Sequence, residues 1–447
     1  MLVRQLFLGE RAISKITALL VIVVVLVAAV VGGFFVYYSS NNNSSSSSGT
    51  YQFEDNNSHV YNYSMEGTVA SFNTTVNGGV IVPPTVYNGV LLVDFSTMKS
   101  TAGGVTAIDL RTGQTLWTAT VPNLMMTQPL TYSGLVIIGL GSNLYRKGTP
   151  ELVRGNGTNY VEALNFSTGQ TVWTFPTLGE DMPTPVIHNG LVIFPNGNGV
   201  VYALNVLTGQ SVWNATLSVG SVVSMSCPAI TGNLIYFGQS NPYSFDCVNL
   251  SDGQVVWTTA FPAAVGGLDD CSPVVWNGVV ISGYTVYASN GLVQPILFGI
   301  DEMTGQVLWQ VKENVGIYPA GGEWFTPVTV WNGIVYSDSP ENGTLYAVNA
   351  KDGSVLWTFP TGSATSNVNV FNGYLWIVSS ATFYGPAALF VLNPSTGTLV
   401  TAASTGQGLG NGNLVFVNQN VIFWGNSGEV ASMPVADIHL TLGNWTI

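Results

Sequence analysis

Ala347-Val348-Asn349-Ala350-Lys351-Asp352-Gly353-Ser354-Val355-Leu356-Trp357 is one copy of a pattern that recurs along most of the chain. Its general form is Ala, any residue, Asp or Asn, three residues, Gly, three residues, Trp. Clear copies occupy residues 107–117, 163–173 and 203–213, and relaxed ones 247–257 and 299–309. A further copy, 391–401, keeps Asn393 and Gly397 but has lost the Trp. The alternation through Leu345, Ala347 and Asn349 predicts a strand, the Gly a tight turn, and the residues up to Trp357 a second strand. Gly suits such a turn because a Cβ opposes positive φ. Recurring at one place in successive units, Trp117, Trp173, Trp213, Trp257, Trp309 and Trp357 are expected to bury their rings against a neighbouring unit.

A second hairpin alternates with the first. It opens with Pro and turns at Asn-Gly or a similar pair: Asn88-Gly89, Ser133-Gly134, Asn189-Gly190, Gly232-Asn233, Asn277-Gly278, Asn332-Gly333 and Asn372-Gly373, with a degenerate last copy at 412–423. Two hairpins per unit, repeated at this spacing, predict an all-β fold, an eight-bladed β-propeller with four-stranded antiparallel blades. The eighth unit lacks its outer strand, which residues 68–76 are expected to supply, with Phe72 in the place of the Trp. Seven blades, with 412–447 as an appendage, is the alternative.

Composition supports short strands and tight turns. Charged residues make up only 7% of 447 residues, with 51 Gly, which argues against a helical protein. Ten basic residues face 23 acidic ones, a balance that should repel nucleic acid. Residues 16–38 carry no charge and are long enough for one hydrophobic α-helix across a bilayer, with Arg4, Arg11 and Lys15 ahead of them on the cytoplasmic side. Residues 39–57 begin with a Ser/Asn-rich linker. Asn-x-Ser/Thr sequons stand at Asn42, Asn43, Asn56, Asn62, Asn73, Asn156, Asn165, Asn214, Asn249, Asn342 and Asn444, in keeping with an exported glycoprotein.

Two resemblances follow from these residues. Glu10-Arg11-Ala12-Ile13-Ser14-Lys15 resembles the cleavage site of archaeal type IV pilin-like (class III) signal peptides, which implies a leader at 1–12 and a retained helix at 13–38. The Trp-bearing repeat resembles the tryptophan-docking motif of quinoprotein-like (PQQ-repeat) propellers and implies one such domain over 58–447. That family includes quinone-dependent alcohol and sugar dehydrogenases as well as assembly scaffolds. Many of the alcohol-oxidising members carry adjacent cysteines over the quinone and a calcium ion held by Glu, Asn and Asp. No two of Cys227, Cys247 and Cys271 are adjacent, so PQQ is not expected.

Loops that enter the innermost strands line a propeller's mouth. Here they gather Glu180, Asp181, Asp269, Asp270, Glu323 and Trp324. Together these form a carboxylate mouth beside an aromatic platform, suited to Ca2+ or to a sugar. Singly, each acid is a solvated residue at a strand start, and the methionines nearby plug the channel. Cys227 and Cys271 head neighbouring inner strands, where a disulfide is expected, leaving Cys247 unbridged in the core. The longest loop within a blade, 140–159, holds Arg146, Lys147 and Arg154 and reads as a solvated insertion or a partner-docking loop. The expected function is a non-enzymatic surface protein, tethered to the membrane by its helix with the propeller outside the cell, binding other surface proteins, glycans or small solutes. The alternatives are a structural part of a pilin-like assembly and a PQQ-dependent alcohol or sugar dehydrogenase.

Overall fold

In a computed structural model, residues 59–438 are described, except 98–101, 150, 219, 317–326, 340–341, 363–367, 381–386, 407–413 and 426. The expected leader, helix and linker at 1–57 lie outside the described residues. No helix among the described residues is long and apolar enough to cross a membrane.

The described strands form eight sheets, each the blade of a propeller. Seven blades are consecutive antiparallel four-stranded meanders, spanning residues 85–121, 130–176, 186–216, 229–260, 274–312, 329–360 and 369–406. The eighth joins Val415–Val417, Asn420–Trp424 and Glu429–Pro434 to the N-terminal strand Phe72–Thr75, paired Phe72 with Ser432 and Thr75 with Glu429. The ring is thus closed by one N-terminal strand on three C-terminal ones, as the sequence predicts, and 412–447 is no appendage to a seven-bladed ring.

The repeat explains itself at the blade junctions. In the copy that ends at Trp357, the Asn349 side chain accepts the Lys351 N–H at 2.9 Å, and Gly353 adopts φ +74° with its N–H on the Asn349 carbonyl. The glycine is required twice, for its backbone angle and because a Cβ there would stand 2.9 Å from the Trp309 ring of the preceding blade. The same contact joins Gly169 to Trp117, Gly209 to Trp173, Gly253 to Trp213, Gly305 to Trp257 and Gly397 to Trp357.

Each indole N–H is also spent across the junction. Trp117, Trp173, Trp213, Trp257 and Trp309 donate at 2.9–3.1 Å to the carbonyls of Phe166, Val206, Leu250, Glu302 and Ala350. Those five acceptors in turn donate their own N–H, each at 2.9 Å, to the tip of their blade's first hairpin: Gly134, Gly190, Asn233, Gly278 and Gly333. At the closing junction Phe72 packs over Gly113 but has no N–H to give. The Ala70 backbone N–H takes its place on the Leu110 carbonyl, at 2.8 Å.

Apolar clusters fill the spaces between blades. Leu130, Ile137 and Trp173 of the second blade pack with Ile187, Val192 and Leu204 of the third. At the closure Val415, Ile422 and Val430 pack with Val86, Leu91 and Ile108.

One element was not expected. Asn62–Tyr63 runs parallel to Val415–Val417 as a fifth, innermost strand of blade eight. Leading into it, His59 Nδ1 donates to Val328 O at 2.6 Å, Asn369 Oδ1 accepts from Tyr61 N at 3.2 Å, and Asn62 Nδ2 donates to Val370 O at 2.6 Å. Beyond the strand, Met65 N donates to Asn418 Oδ1 at 3.1 Å. Residues 59–65 thus cross the inner edges of blades six, seven and eight.

The junctions are expected to dominate stability. Trp309 is buried at its junction, whereas Leu356, one position before Trp357 on an outer strand, is 47% exposed. Trp309→Ala should destabilise the domain by about 3–5 kcal/mol in urea unfolding, and Leu356→Ala should stay within about 0.5 kcal/mol. Equal effects would contradict this role for the junctions.

Candidate active site at the propeller mouth

Sequence reasoning places Glu180, Asp181, Asp269 and Asp270 on loops entering blades three and five, and the structure brings them together. Glu323 and Trp324 lie outside the described residues. The acids are not solvated at strand starts: Glu180 and Asp181 are fully buried, Asp269 is 8% exposed, and only Asp270 keeps part of its surface open. The flanking Met125 and Met182 are buried as expected.

A cation holds the group together. Arg154 Nε lies 3.0 Å from Glu180 Oε1, and its Nη1 donates to Ser224 Oγ. Arg154 comes from the long 140–159 loop of blade two, so that loop is neither a solvated insertion nor simply a docking surface. Its backbone is fixed on both sides. Arg154 N donates to Gly197 O at 2.9 Å, Glu180 N to Arg154 O at 2.8 Å, and Gly197 N to Glu180 O at 3.0 Å. Gly197 permits this approach because a Cβ there would lie 2.4 Å from the Arg154 carbonyl oxygen.

Asn196, also buried, clamps the acid-bearing loop. Its Nδ2 donates to Gly179 O at 3.0 Å, Glu180 O at 2.8 Å and Asp181 Oδ1 at 2.7 Å, and its Oδ1 accepts from Gly179 N at 3.0 Å. Thr177 donates to the other Asp181 oxygen. Across the mouth, Ser240 Oγ donates to Asp269 Oδ2 at 2.7 Å, while the Asp269 carbonyl accepts from Met225 N and Ser226 N at 2.7 and 2.8 Å.

Burial is the main influence on these acids, because a carboxylate removed from water loses hydration that neighbours only partly replace. It pushes Asp181 up to about 8, against hydrogen bonds from Thr177 and Asn196. Glu180 is raised well above its ordinary value by burial, Arg154 notwithstanding. Asp269 is raised by burial, and Asp270 by burial together with the adjacent Asp269 carboxyl. The cluster is therefore a set of carboxyls whose protonated forms burial favours, around a single half-buried guanidinium.

The cysteines correct a further expectation. All three are thiols, and the Cys227–Cys271 disulfide does not form. The sulfurs face different neighbours: Cys227 Sγ accepts the Thr184 N–H at 3.1 Å, whereas Cys271 Sγ lies by Ser272 O at 3.8 Å. Burial pushes Cys247 and Cys271 up to about 12, so neither is a thiolate near neutrality. Of the sequon residues, Asn62, Asn73, Asn156 and Asn214 are exposed and Asn165, Asn249 and Asn342 half-buried, while Asn42, Asn43, Asn56 and Asn444 lie outside the described residues.

Fold and site together define an eight-bladed propeller of the PQQ-like repeat type with a buried acidic mouth. Residues 56–311 and 294–439 match the family described as outer membrane protein assembly factor BamB, and the chain belongs to that PQQ-like repeat family. It is 29% identical over 398 residues to the tetrathionate hydrolase of Acidithiobacillus ferrooxidans, covering 83% of this chain and 75% of that protein. With the tetrathionate hydrolase of Acidianus ambivalens it shares 28% identity over 389 residues, 77% of this chain and 69% of that protein. The quinohemoprotein alcohol dehydrogenase of Comamonas testosteroni superposes with a TM-score of 0.58 at 15% identity, covering 83% of this chain and 76% of that one, a likeness of fold alone. The two hydrolases overturn the expectation of a non-enzymatic binding protein, since curated proteins similar over most of this chain bear an enzyme's name.

The quinoprotein likeness implies a quinone and a metal ion, and the described residues do not fit them. Among these residues no three His, Cys, Asp or Glu side chains gather as metal ligands. The mouth acids are held by protein donors, and no thiols are adjacent. The expected Ca2+ thus has no such ligand set among them.

The raised carboxyls set a pH dependence of stability. In the unfolded chain Asp181 ionises near its ordinary 3.8, and in the fold near 8; Glu313, buried beside Ser337, likewise moves from 4.5 to about 8. Between those values the fold keeps a proton that the unfolded chain has shed, so their contribution is complete below about pH 4 and is lost as pH rises through 8. His59, lowered to about 4 by burial, acts in the opposite sense, losing its contribution as pH falls from 6.5 through 4. With several carboxyls against two imidazoles, His59 and the partly buried His188, thermal melts should give a higher Tm at pH 5 than at pH 8. A Tm that rises over that interval would contradict the buried neutral carboxyls.

Proposed function

We propose that this chain is a hydrolase of inorganic polythionates of the tetrathionate class, with Arg154, Asp269 and Asp270 as its active site. The observation that carries the proposal is a half-buried guanidinium among carboxyls raised by burial, at the mouth of a chain similar, over most of its length, to two tetrathionate hydrolases. A dianion would be repelled by four ionised carboxylates, and burial lessens that conflict by favouring their protonated forms. Arg154 is then the charge that draws an oxyanion to the cluster.

The arrangement supports hydrolysis of a sulfur–sulfur bond. A water oxygen bonds to a sulfane sulfur, the S–S bonding pair leaves with thiosulfate, and the remaining fragment carries the hydroxyl. The proton released by water passes to Asp270 in its ionised form, which its raised value of about 7 leaves populated near neutrality.

Purified protein incubated with tetrathionate should consume it, as followed by ion chromatography. Asp270→Asn should lower kcat by about 100-fold or more, and Arg154→Gln should lower kcat/KM by about 100-fold. Activity should rise as Asp270 ionises near pH 7 and fall as Asp181 ionises near pH 8. Wild-type protein that leaves tetrathionate intact across the pH range would sink the proposal.

The family's description as an outer-membrane assembly factor supports a place outside the cytoplasm. Protease added to intact cells should then digest the chain, and full protection would contradict that placement.

A further inference from the structure

The loop that delivers Arg154 carries a second group toward the same site. Within residues 140–159 a short antiparallel turn pairs Tyr145 with Arg154, with Arg146 N donating to Val153 O and Gly155 N to Leu144 O, both at 2.9 Å. Residues directly opposite in an antiparallel pair present their side chains on one face, with Cβ atoms about 5 Å apart. The Tyr145 and Arg154 side chains therefore leave the turn on one face, and the far end of Arg154 reaches Glu180 and Ser224. Tyr145 is 46% exposed, and its ring shares the electrostatic environment of Arg154, Glu180, Asp269 and Asp270.

The other cation of this turn is committed elsewhere. Arg146 donates from Nε to Gly155 O and from Nη2 to Gly157 O, both at 2.8 Å, and so braces the turn from which Arg154 extends. Arg154 itself has Nε 3.0 Å from Glu180 Oε1 and donates from Nη1 to Ser224, and its remaining guanidinium N–H groups are the charged donors for an incoming anion. A sulfonate presents three acceptor oxygens. A phenol adds a donor without placing another charge among four carboxyls, and its exposure leaves it reachable from solvent.

We propose that Tyr145 is a substrate-binding residue, its phenol O–H and the Arg154 guanidinium together forming the receptor for one sulfonate end of the polythionate. This rests on the reading of the mouth as a polythionate site. It adds that the long blade-two loop sets specificity for an oxyanion terminus, whereas the acids act on the sulfur chain.

Tyr145→Phe removes one exposed hydroxyl and keeps the ring, so melting should be unchanged. KM for tetrathionate should rise about tenfold, the effect of losing one hydrogen bond to a charged group, with kcat altered less than twofold. Thiosulfate, titrated calorimetrically as a probe that needs no turnover, should bind the variant about tenfold more weakly than the wild type. An unchanged KM and an unchanged thiosulfate Kd would overturn the assignment, as would a loss confined to kcat. If the wild type does not hydrolyse tetrathionate, the proposed activity fails separately, and thiosulfate decides the receptor. Binding that weakens in Tyr145→Phe retains it, and absent or Tyr145-independent binding removes it.

Discussion

The indole hydrogen bond across most blade junctions is the interaction on which this fold depends. In five blades one residue, such as Val206, takes the preceding blade's indole N–H on its carbonyl and gives its own N–H to its blade's inner hairpin. A Trp is therefore a connector from the rim of one blade to the tip of the next blade's first hairpin, and the Gly beneath its ring is what lets it approach. Because each connector is local, the ring can be built blade by blade, and only closure needs the two ends of the chain. There Phe72 supplies the ring contact and Ala70 the N–H. A backbone donor has replaced an indole with the same partner logic.

A ring closed in this way gives the loops at its mouth a rigid base, and the chain uses it to bury acids. Isolated ionised carboxylates in such surroundings would be prohibitively costly, so the site avoids ionising them. One guanidinium, delivered by an insertion in blade two, is set among them. The low overall content of charged residues makes that cation conspicuous: the whole chain has only ten basic residues, and Arg154 is one of the few that the fold draws into a buried group. The same buried carboxyls weaken the fold as pH rises.

The blades, their number and the N-terminal closure are legible in the sequence because they are periodic: turn residues and Trp recur at fixed offsets, and Phe72 falls in register with them. Four mouth acids are legible for a related reason, since the repeat shows where each inner strand begins. What the sequence does not display is aperiodic. Asn62–Tyr63 is too short to announce a strand, and its partner lies some 350 residues away. Arg154 belongs to an insertion that the repeat says nothing about, so its meeting with Glu180 depends on loop path alone. Asn196 stands just beyond a strand end, outside the repeated pattern, and its clamp is visible only in three dimensions. The cysteine pairing failed because adjacency of strands does not fix the direction in which two sulfurs turn. Chemistry was the hardest to read, since Trp, Gly and Pro positions define a scaffold shared by proteins of different activity.

The most direct measurement is a crystal structure of the Asp270→Asn variant soaked with thiosulfate. A sulfonate held by Arg154, with the terminal sulfur turned toward residue 270, is the outcome this account predicts. Thiosulfate bound away from Arg154, or a mouth that stays closed around the Arg154–Glu180 pair with no anion in it, would contradict the claim that this cluster is the active site.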